Sequence, residues 1–534
     1  MIILGLSSYH PDASAALIVD GEIIAAVDEE RLNRIKHSPG FPELAIKYCL
    51  EKGRISLDEV DYIAVANELR ANLRHKIAFS LSTFPMKAWP EYFRNYMRQR
   101  VMKPLSLTDD LVNRVGGDPR KIRSRIRRVE HHNAHAASSY YTSPFNNAAI
   151  MSMDGSGDFV TCAMSGGRDK RIERLAQTYW PNSLGMLYFS VTQYLGFHEL
   201  GAEGKIMALA SYGKPKYMDE FRKIIRLTRD AFRMEMDYFT FHLPVLIDNW
   251  GDPAFHLLRT LHKKTHTDDL CLAGGVALNC VMNGRVAANT DFKRVFVQPN
   301  AGDGGLSLGS AFYLYHNILS MPRKKHLISA SLGTEFTNTD VQAALEGSGL
   351  KYTRHDDIAP RVASRIADGR VIGWFQGKME FGPRALGNRS ILADPRRADM
   401  RDFINSVVKH RELFRPFAPS VLEEDARDFF DLNGFPSPFM LLAVDVRPDR
   451  AAQVPAITHV DGTARVQTVD RESNPRYRRL IEEFKKLTGI PMVLNTSFNL
   501  KGEPVVSSPS DAIKSFLATK IDVLAIEDYI VEKR

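Results

Sequence analysis

The sequence predicts an α/β chain in which one fold occurs twice and a second α/β unit follows, and three observations carry that reading. Two β-hairpins of one layout lie far apart, at residues 2–30 and 148–166. Glycine turns follow apolar strands at 270–279 and 299–305. The pattern breaks near 325–355 before strands and helices resume.

In the first hairpin, Ile2 to Ser8 leads into a turn at His10-Pro11-Asp12, and Ala15 to Val19 and Glu22 to Asp28 flank Asp20-Gly21. An Asp-Gly pair between alternating apolar segments is a strong hairpin signal. In the second, Ala148 to Met153 is read as a strand, Asp154-Gly155-Ser156-Gly157-Asp158 as its turn, and Phe159-Val160-Thr161 as the return. Residues 68–128 between them read as helical, basic and aromatic, with Tyr92, Phe93, Tyr96 and Met97 on one face as a core-type stripe. Arg120, Lys121, Arg123, Arg125, Arg127 and Arg128 alternate with Ile122, Ile126 and Val129, the pattern of a solvated face more than of an RNA-binding surface. Farther on, Leu270 to Ala273 enters Gly274-Gly275, and Pro299 to Gly305 precedes an apolar helix start from Leu306 to Tyr315. Glycines at such turns let backbone N–H groups approach an anion, although each alone also reads as a plain tight turn. The second unit opens with a helix ending near Asp368-Gly369 and the strand Val371 to Phe375, so domains are expected at 1–345 and 346–534.

A composition of 44% hydrophobic and 25% charged residues is that of a globular protein with real cores. The net charge of +8 suits a phosphate-bearing substrate as readily as nucleic acid. Cys49, Cys162, Cys271 and Cys280 form no C-x-x-C pair and sit in apolar segments, which argues against a zinc ribbon or a disulfide framework. The opening MIILGLSSYHPDAS lacks a basic n-region, and no apolar run approaches the ~18 residues that span a bilayer, so a cytoplasmic protein with no membrane partner is expected.

The strongest chemical signal is Glu130-His131-His132-Asn133-Ala134-His135. Imidazoles at i and i+4 share a helical face, so His131 and His135 can bind one metal ion, with Asp154 or Asp303 supplying a carboxylate. The glutamate that H-E-x-x-H peptidases place after the first histidine is missing, which disfavours peptidase chemistry. A second signal is cationic. Lys378, Arg384 and Arg389, then Lys409, Arg411 and Arg415, then Arg465, sit among Gly, Pro and aromatic residues, where guanidinium forks can converge on phosphates. Near the end, Met492 to Leu494 reads as a strand and Asn495-Thr496-Ser497-Phe498-Asn499 as a polar turn able to orient phosphate oxygens.

Ten ordered motifs, HPDASAAL, DEERLNRIKH, EHHNAHAAS, MDGSGD, GAEGKIMALASYGKP, LAGGVALN, NAGDGGLSLG, FGPRALGNRSILADP, KHRELFRPFAPSV and LNTSFNLKGEP, resemble the NodU/CmcH family of O-carbamoyltransferases over essentially the whole chain. Members of that family pair a TsaD/Kae-like domain with a YrdC-like domain. The resemblance implies a duplicated actin-like (ASKHA, RNase H-like) N-terminal domain and a C-terminal YrdC-like α/β domain. It also implies a two-site reaction: carbamoyl phosphate and ATP give carbamoyl-adenylate with release of pyrophosphate and phosphate, and the carbamoyl group then passes to an acceptor hydroxyl beside Fe(II) or another divalent ion. Magnesium is expected to accompany ATP. By resemblance His131, His135 and Asp303 are metal ligands, and Asp154 with Gly155 belongs to a phosphate-side loop where Asp154 reaches the metal or its water. Glu203, Lys205, Gly274, Gly275 and Asn279 would line the adenylate pocket, with His10 and Lys36 close to the carbamoyl group and acceptor. Arg384, Lys409, Arg415 and Arg465 would hold the phosphates, and Ser497 with Asn499 matches the S-x-N turn of YrdC-like proteins. Two local departures are Pro11 before Asp12 and Ser211 where relatives commonly carry proline.

The expected partners are ATP, carbamoyl phosphate, a small-molecule hydroxyl acceptor and a second copy of the chain as a homodimer. A tRNA threonylcarbamoyl transferase is the alternative, because the same two domain types serve that modification, and a non-catalytic nucleotide-binding protein is a third reading. A HypF-type protein is disfavoured because C-x-x-C zinc fingers are missing. The acceptor pocket is expected on 68–128 and 220–265, where Trp89, Tyr92, Tyr238, Phe241 and Trp250 offer rings for stacking.

Overall fold

A computed structural model describes residues 1–83, 106–236, 251–324, 327, 329–432 and 435–533. The chain begins with β1 (Ile2–Ser7), β2 (Ser14–Val19) and β3 (Glu22–Asp28), an antiparallel meander. Asp20 and Gly21 both adopt positive φ, 49° and 81°, as a two-residue turn of the primed type requires. β4 (Tyr62–Val65) and β5 (Ile126–Arg128) then add parallel on the other side of β1, giving the order β3-β2-β1-β4-β5.

The same order recurs. β6 (Asn147–Gly157), β7 (Val160–Arg168) and β8 (Arg171–Tyr179) form the second meander, and the strands Asp269–Ala273 and Arg294–Val297 extend it parallel to β6. Two sheets with one connectivity are the duplicated actin-like arrangement. The turn of the second hairpin is displaced from its expected position. β6 runs through Asp154 to Gly157, with its pairing shifted between Met153 and Gly157, and the two-residue turn is Asp158-Phe159, at φ 49° and 74°. An irregular strand rather than a loop therefore presents Asp154.

Alternation along β1 shows why both faces of the first sheet are apolar. Leu4 and Leu6 pack with Ala45, Ile46, Cys49 and Leu50 of the helix Glu43–Gly53. Ile3 faces the other way, into a core shared with Leu308, Ala311 and Phe312 of the helix Leu306–Phe312 and with Ala136, Ala137 and Tyr140 of the helix His131–Tyr140. Ile150 and Cys271 of the second sheet close that core. The histidine helix is thus held between the two sheets. All four cysteines are buried and free, in accord with the expectation that they form no disulfide framework.

The C-terminal unit is a mixed nine-stranded sheet covered by helices Ala359–Ala367, Pro475–Thr488 and Pro509–Ala518. The helix Asn338–Ser348, which a boundary at 345 would divide, contributes Val341 and Leu345 to this C-terminal core. The second unit accordingly begins before 346. Two expectations over 68–128 are refined: among the described residues the segment contains helices Leu73–Thr83, Leu107–Arg114 and Pro119–Arg125, but Arg127 and Arg128 sit in β5. Ile122 and Val129 are buried while Arg120, Lys121, Arg123 and Arg127 are exposed, the solvated face that their alternation implies. Trp89, Tyr92, Phe93, Tyr96, Met97, Tyr238, Phe241 and Trp250 lie outside the described residues. No helix among the described residues is long and apolar enough to cross a membrane.

Candidate active site

The helix His131–Tyr140 starts at Glu130, whose carboxylate accepts the Asn133 N–H. Its first turn points His131 and His135 at two carboxylates delivered from elsewhere. Asp154 comes from the irregular end of β6, and Asp303 from the loop before the helix Leu306–Phe312. Asp154 Oδ2 lies 3.1 Å from His131 Nε2 and 3.4 Å from His135 Nε2, and Asp303 Oδ1 lies 3.6 Å from both nitrogens. One ligand atom from each of the four groups fits within a 4.8 Å sphere of mutual distances.

These spacings suit a cation. Ligands bound at about 2.1 Å are separated by roughly 3.0 Å at right angles and 3.4 Å in a tetrahedron. Both histidines are essentially buried, and Asp303 Oδ1 is a buried acceptor without a hydrogen-bond partner. Burial pushes the His135 imidazole down, but the Asp154 and Asp303 carboxylates outweigh it and lift its pKa to about 9. Burial would likewise raise Asp154, yet the two imidazoles hold its carboxyl well below the usual range. The set thus attracts positive charge. The middle histidine plays no part in it: His132 Nε2 donates to Val160 O at 2.9 Å, Nδ1 accepts from Ser152 Oγ at 2.7 Å, and burial beside two other imidazoles keeps it neutral.

Backbone turns fix the cluster. The other oxygen of Asp154 accepts the Gly275 N–H at 3.1 Å. Gly274, at φ 89°, lets this turn pass β6, since a Cβ there would stand 2.1 Å from Met153 O. Asn279 caps the helix Cys280–Gly284 by accepting the Met282 N–H, so its amide oxygen is engaged in holding the turn. His10 Nε2 lies 3.1 Å from Ala66 O, which fixes the proton on that nitrogen and turns Nδ1 toward Asp303 Oδ2 at 3.6 Å.

The cationic residues gather at the face of the C-terminal unit that meets the N-terminal one. Burial, with Arg465 next to it, lowers Arg384 to about 9, and burial with Arg415 and Arg465 lowers Arg411 to about 9. Burial pushes Lys409 well down, and Arg411, Arg415 and Lys36 add to the effect. Lys409 Nζ donates to Ser497 O at 2.7 Å and Asn499 Oδ1 at 2.6 Å, and Ser497 Oγ donates to Asn499 Oδ1 at 2.8 Å. So many like charges under partial burial would suit a multiply charged anion. Ser497 ends the strand Met492–Ser497 instead of lying in a turn, because Asn495, Thr496 and Ser497 continue the ladder opposite Leu392, Ile391 and Ser390.

Two cations of the arginine-rich motif stand elsewhere. Arg389 is fully buried and donates to the carbonyls of Gln376, Asn388, Thr334 and Gly377, with its guanidinium over the Phe375 ring, so it is a structural tie. Lys378 is exposed. Arg411, by contrast, belongs with Arg415 and Arg465 although the motif resemblance assigned it no role; its place in the Lys409–Arg415 loop was the available signal.

Contacts between the two units link the clusters. Arg384 Nη2 reaches Leu278 O at 3.5 Å, in the turn that carries Gly275. Lys205 pairs with Glu412 at 3.3 Å between the units, and Arg415 is among the charges that act on the exposed Lys36. Glu203, whose carboxyl burial raises, lies near His37 and Asp12, an ion pair at 2.9 Å. Gly155 accepts from Ser183 Oγ at 2.6 Å through its carbonyl. Residues expected on two separate domains are therefore in contact with one another.

Comparison with known proteins agrees with this architecture. A family model described as carbamoyltransferase N-terminus matches residues 2–251 and 245–312, and one described as carbamoyltransferase C-terminus matches 363–533. The nodulation protein NolNO of Sinorhizobium fredii is 39% identical over 99% of this chain and 80% of its own length. NolO of Bradyrhizobium diazoefficiens is 42% identical over 76% of this chain and 79% of its own. An uncharacterized protein of Synechocystis is 38% identical over 99% of this chain and 96% of its own. With both family models matched in order, and with relatives this similar along its length, the chain belongs to the carbamoyltransferase family and is an enzyme of that kind.

Proposed function

We propose that this carbamoyltransferase consumes carbamoyl phosphate and ATP at the cation cluster, forms carbamoyl-adenylate, and carbamoylates a small-molecule hydroxyl at the histidine–carboxylate cluster. The observation that carries this reading is that the arginine-rich cluster reaches, through Arg384 and Leu278 O, the turn whose Gly275 N–H holds Asp154 of the four-residue histidine–carboxylate set. Atom balance fixes the outline of the first half. Release of both phosphate and pyrophosphate requires one water, which cleaves carbamoyl phosphate to carbamate and phosphate. A carbamate oxygen then bonds to the α-phosphorus of ATP as the bond to pyrophosphate breaks. Arg384, Arg415 and Arg465 hold the phosphates, while Lys409, braced by Ser497 and Asn499, neutralises charge at the leaving oxygens.

In the second half the acceptor oxygen bonds to the carbamoyl carbon and AMP departs. His131, His135, Asp154 and Asp303 would hold Fe(II) or another divalent ion. When bound, that ion supplies Lewis acidity that makes the acceptor hydroxyl easier to deprotonate. His10 Nδ1 faces the same space and accepts the hydroxyl proton. Glu203, Lys205 and the Gly274-Gly275 turn border the adenylate.

The test is release of pyrophosphate from ATP. Release should depend on carbamoyl phosphate, and Arg415→Ala should reduce it by a factor on the order of 10² or more. No carbamoyl phosphate-dependent release by the wild-type protein, with a range of hydroxyl acceptors present, would sink the reading.

A further inference from the structure

The loop Lys409–Arg415 carries Lys409, Arg411 and Arg415 into the cation cluster, yet three neighbouring cations repel one another and have no intrinsic reason to hold one geometry. A single buried amide anchors the loop. Asn405 is 0% exposed, and its Nδ2 donates to Arg415 O at 2.9 Å and to Leu413 O at 3.3 Å. Its Oδ1 accepts from Arg411 Nε at 2.8 Å, and its backbone carbonyl accepts the Arg411 N–H at 2.9 Å. One side chain thus binds the middle of the loop through Arg411 and its far end through the carbonyl of Arg415.

The near end is fixed by the same turn. Residues Ile404–Val408 form a π-helical turn, and the Lys409 N–H reaches back five residues to Ile404 O at 2.8 Å. The wider turn adds a residue to the helical circuit, and such insertions recur at functional sites. In this chain the turn buries Asn405 and swings Lys409 toward Ser497 and Asn499.

We infer that Asn405 is a positioning residue for anion binding: it holds Arg411 and the Arg415 backbone in the register that lets the cation wall grip a phosphate-bearing substrate. It acts through those cations without touching the reacting atoms. The inference rests on the proposed use of the cation wall for phosphates, but its test is separable from the full reaction.

Affinity for inorganic pyrophosphate is measured by calorimetry on the full chain, together with KM and kcat for carbamoyl phosphate, using Asn405→Leu and Asn405→Asp. Both variants should bind pyrophosphate roughly tenfold more weakly and raise KM by a similar factor, with kcat changed much less. Asn405→Asp should be the weaker binder, because it adds a negative charge to the site while losing both donated hydrogen bonds. A merely structural role would lower thermal stability and the amount of active protein without changing KM. Unchanged pyrophosphate affinity in both folded variants overturns the inference. If neither folds, Arg411→Lys keeps the charge while removing the Nε contact, and unaltered affinity there overturns it equally. Should wild-type protein release no pyrophosphate from ATP, the functional reading falls, while the calorimetric comparison still decides the role of Asn405.

Discussion

At the scale of single residues, the metal-type cluster depends on a position with no functional side chain. Gly157 packs against His131 so closely that a Cβ would lie 2.0 Å from its Cγ. Gly157→Ala must therefore displace the ring, and the expected outcome is loss of bound divalent ion comparable with that of His131→Ala, measured by metal analysis of the purified variants, with the fold retained by circular dichroism. The motif MDGSGD gave no means of ranking its two glycines. Packing singles out Gly157, while Gly155 offers its carbonyl to Ser183. The pairing of His131 with His135 was legible from spacing alone, because four residues bring two side chains to one helical face. That His132 turns away to Ser152 and Val160 depends on partners in another element, which spacing cannot reveal.

A second residue ties stability to pH. Asp28 ends β3, and burial lifts its carboxyl to about 7 against the opposing pull of Arg31, while its Oδ1 accepts from Asn300 at 2.9 Å. The folded state holds a proton that the unfolded chain, with a carboxyl pKa of about 3.9, gives up earlier. Between about pH 4 and 7 the native state binds more protons, so stability is lost as pH rises through that window, by at most about 4 kcal/mol. Denaturant titrations at pH 5 and pH 8 should show this slope in the wild type and a much flatter one in Asp28→Asn; equal slopes would refute the assignment.

At the scale of elements, hairpins were readable where the turn chemistry was explicit and not where it was replaced. Asp20-Gly21 located its own turn, but Asp158-Phe159 forms the second one with a bulky residue at positive φ, which composition does not advertise. In the strand Met492–Ser497, Asn495 and Thr496 resemble turn residues in sequence, whereas pairing with Arg389–Ala393 keeps them extended. That extension places Ser497 and Asn499 under Lys409, whose ammonium sits in a compact cage of oxygens. A guanidinium is planar and larger, so Lys409→Arg preserves charge but not fit. It is expected to reduce pyrophosphate release on the order of 10²-fold while leaving metal content unchanged, and near-normal release would show that charge alone suffices.

At the scale of the molecule, the two units are fastened by side chains that take no part in either cluster. Arg34 donates to Pro504 O at 2.9 Å and Val505 O at 2.5 Å and approaches Asp511 at 3.6 Å, while Arg31 donates to Gly382 O at 2.8 Å. The sequence revealed these arginines only as parts of the motif DEERLNRIKH, since their partners are carbonyls more than 300 residues away. If an activated carbamoyl group made at one wall is used at the other, the fastening governs how much reaches the acceptor and how much is lost to water. Arg34→Ala removes a charge-assisted fork onto two carbonyls, an interaction of about 1.5–3 kcal/mol for each such bond, without altering either set of ligands. Pyrophosphate release should then persist at close to the wild-type rate while carbamoylated product falls behind it. Measuring both in one reaction gives the ratio: near one for the wild type, clearly below one for the variant. Product and pyrophosphate falling together would mean that Arg34 supports the first step itself, and a ratio unchanged from wild type would mean that the remaining contacts hold the two units together without it.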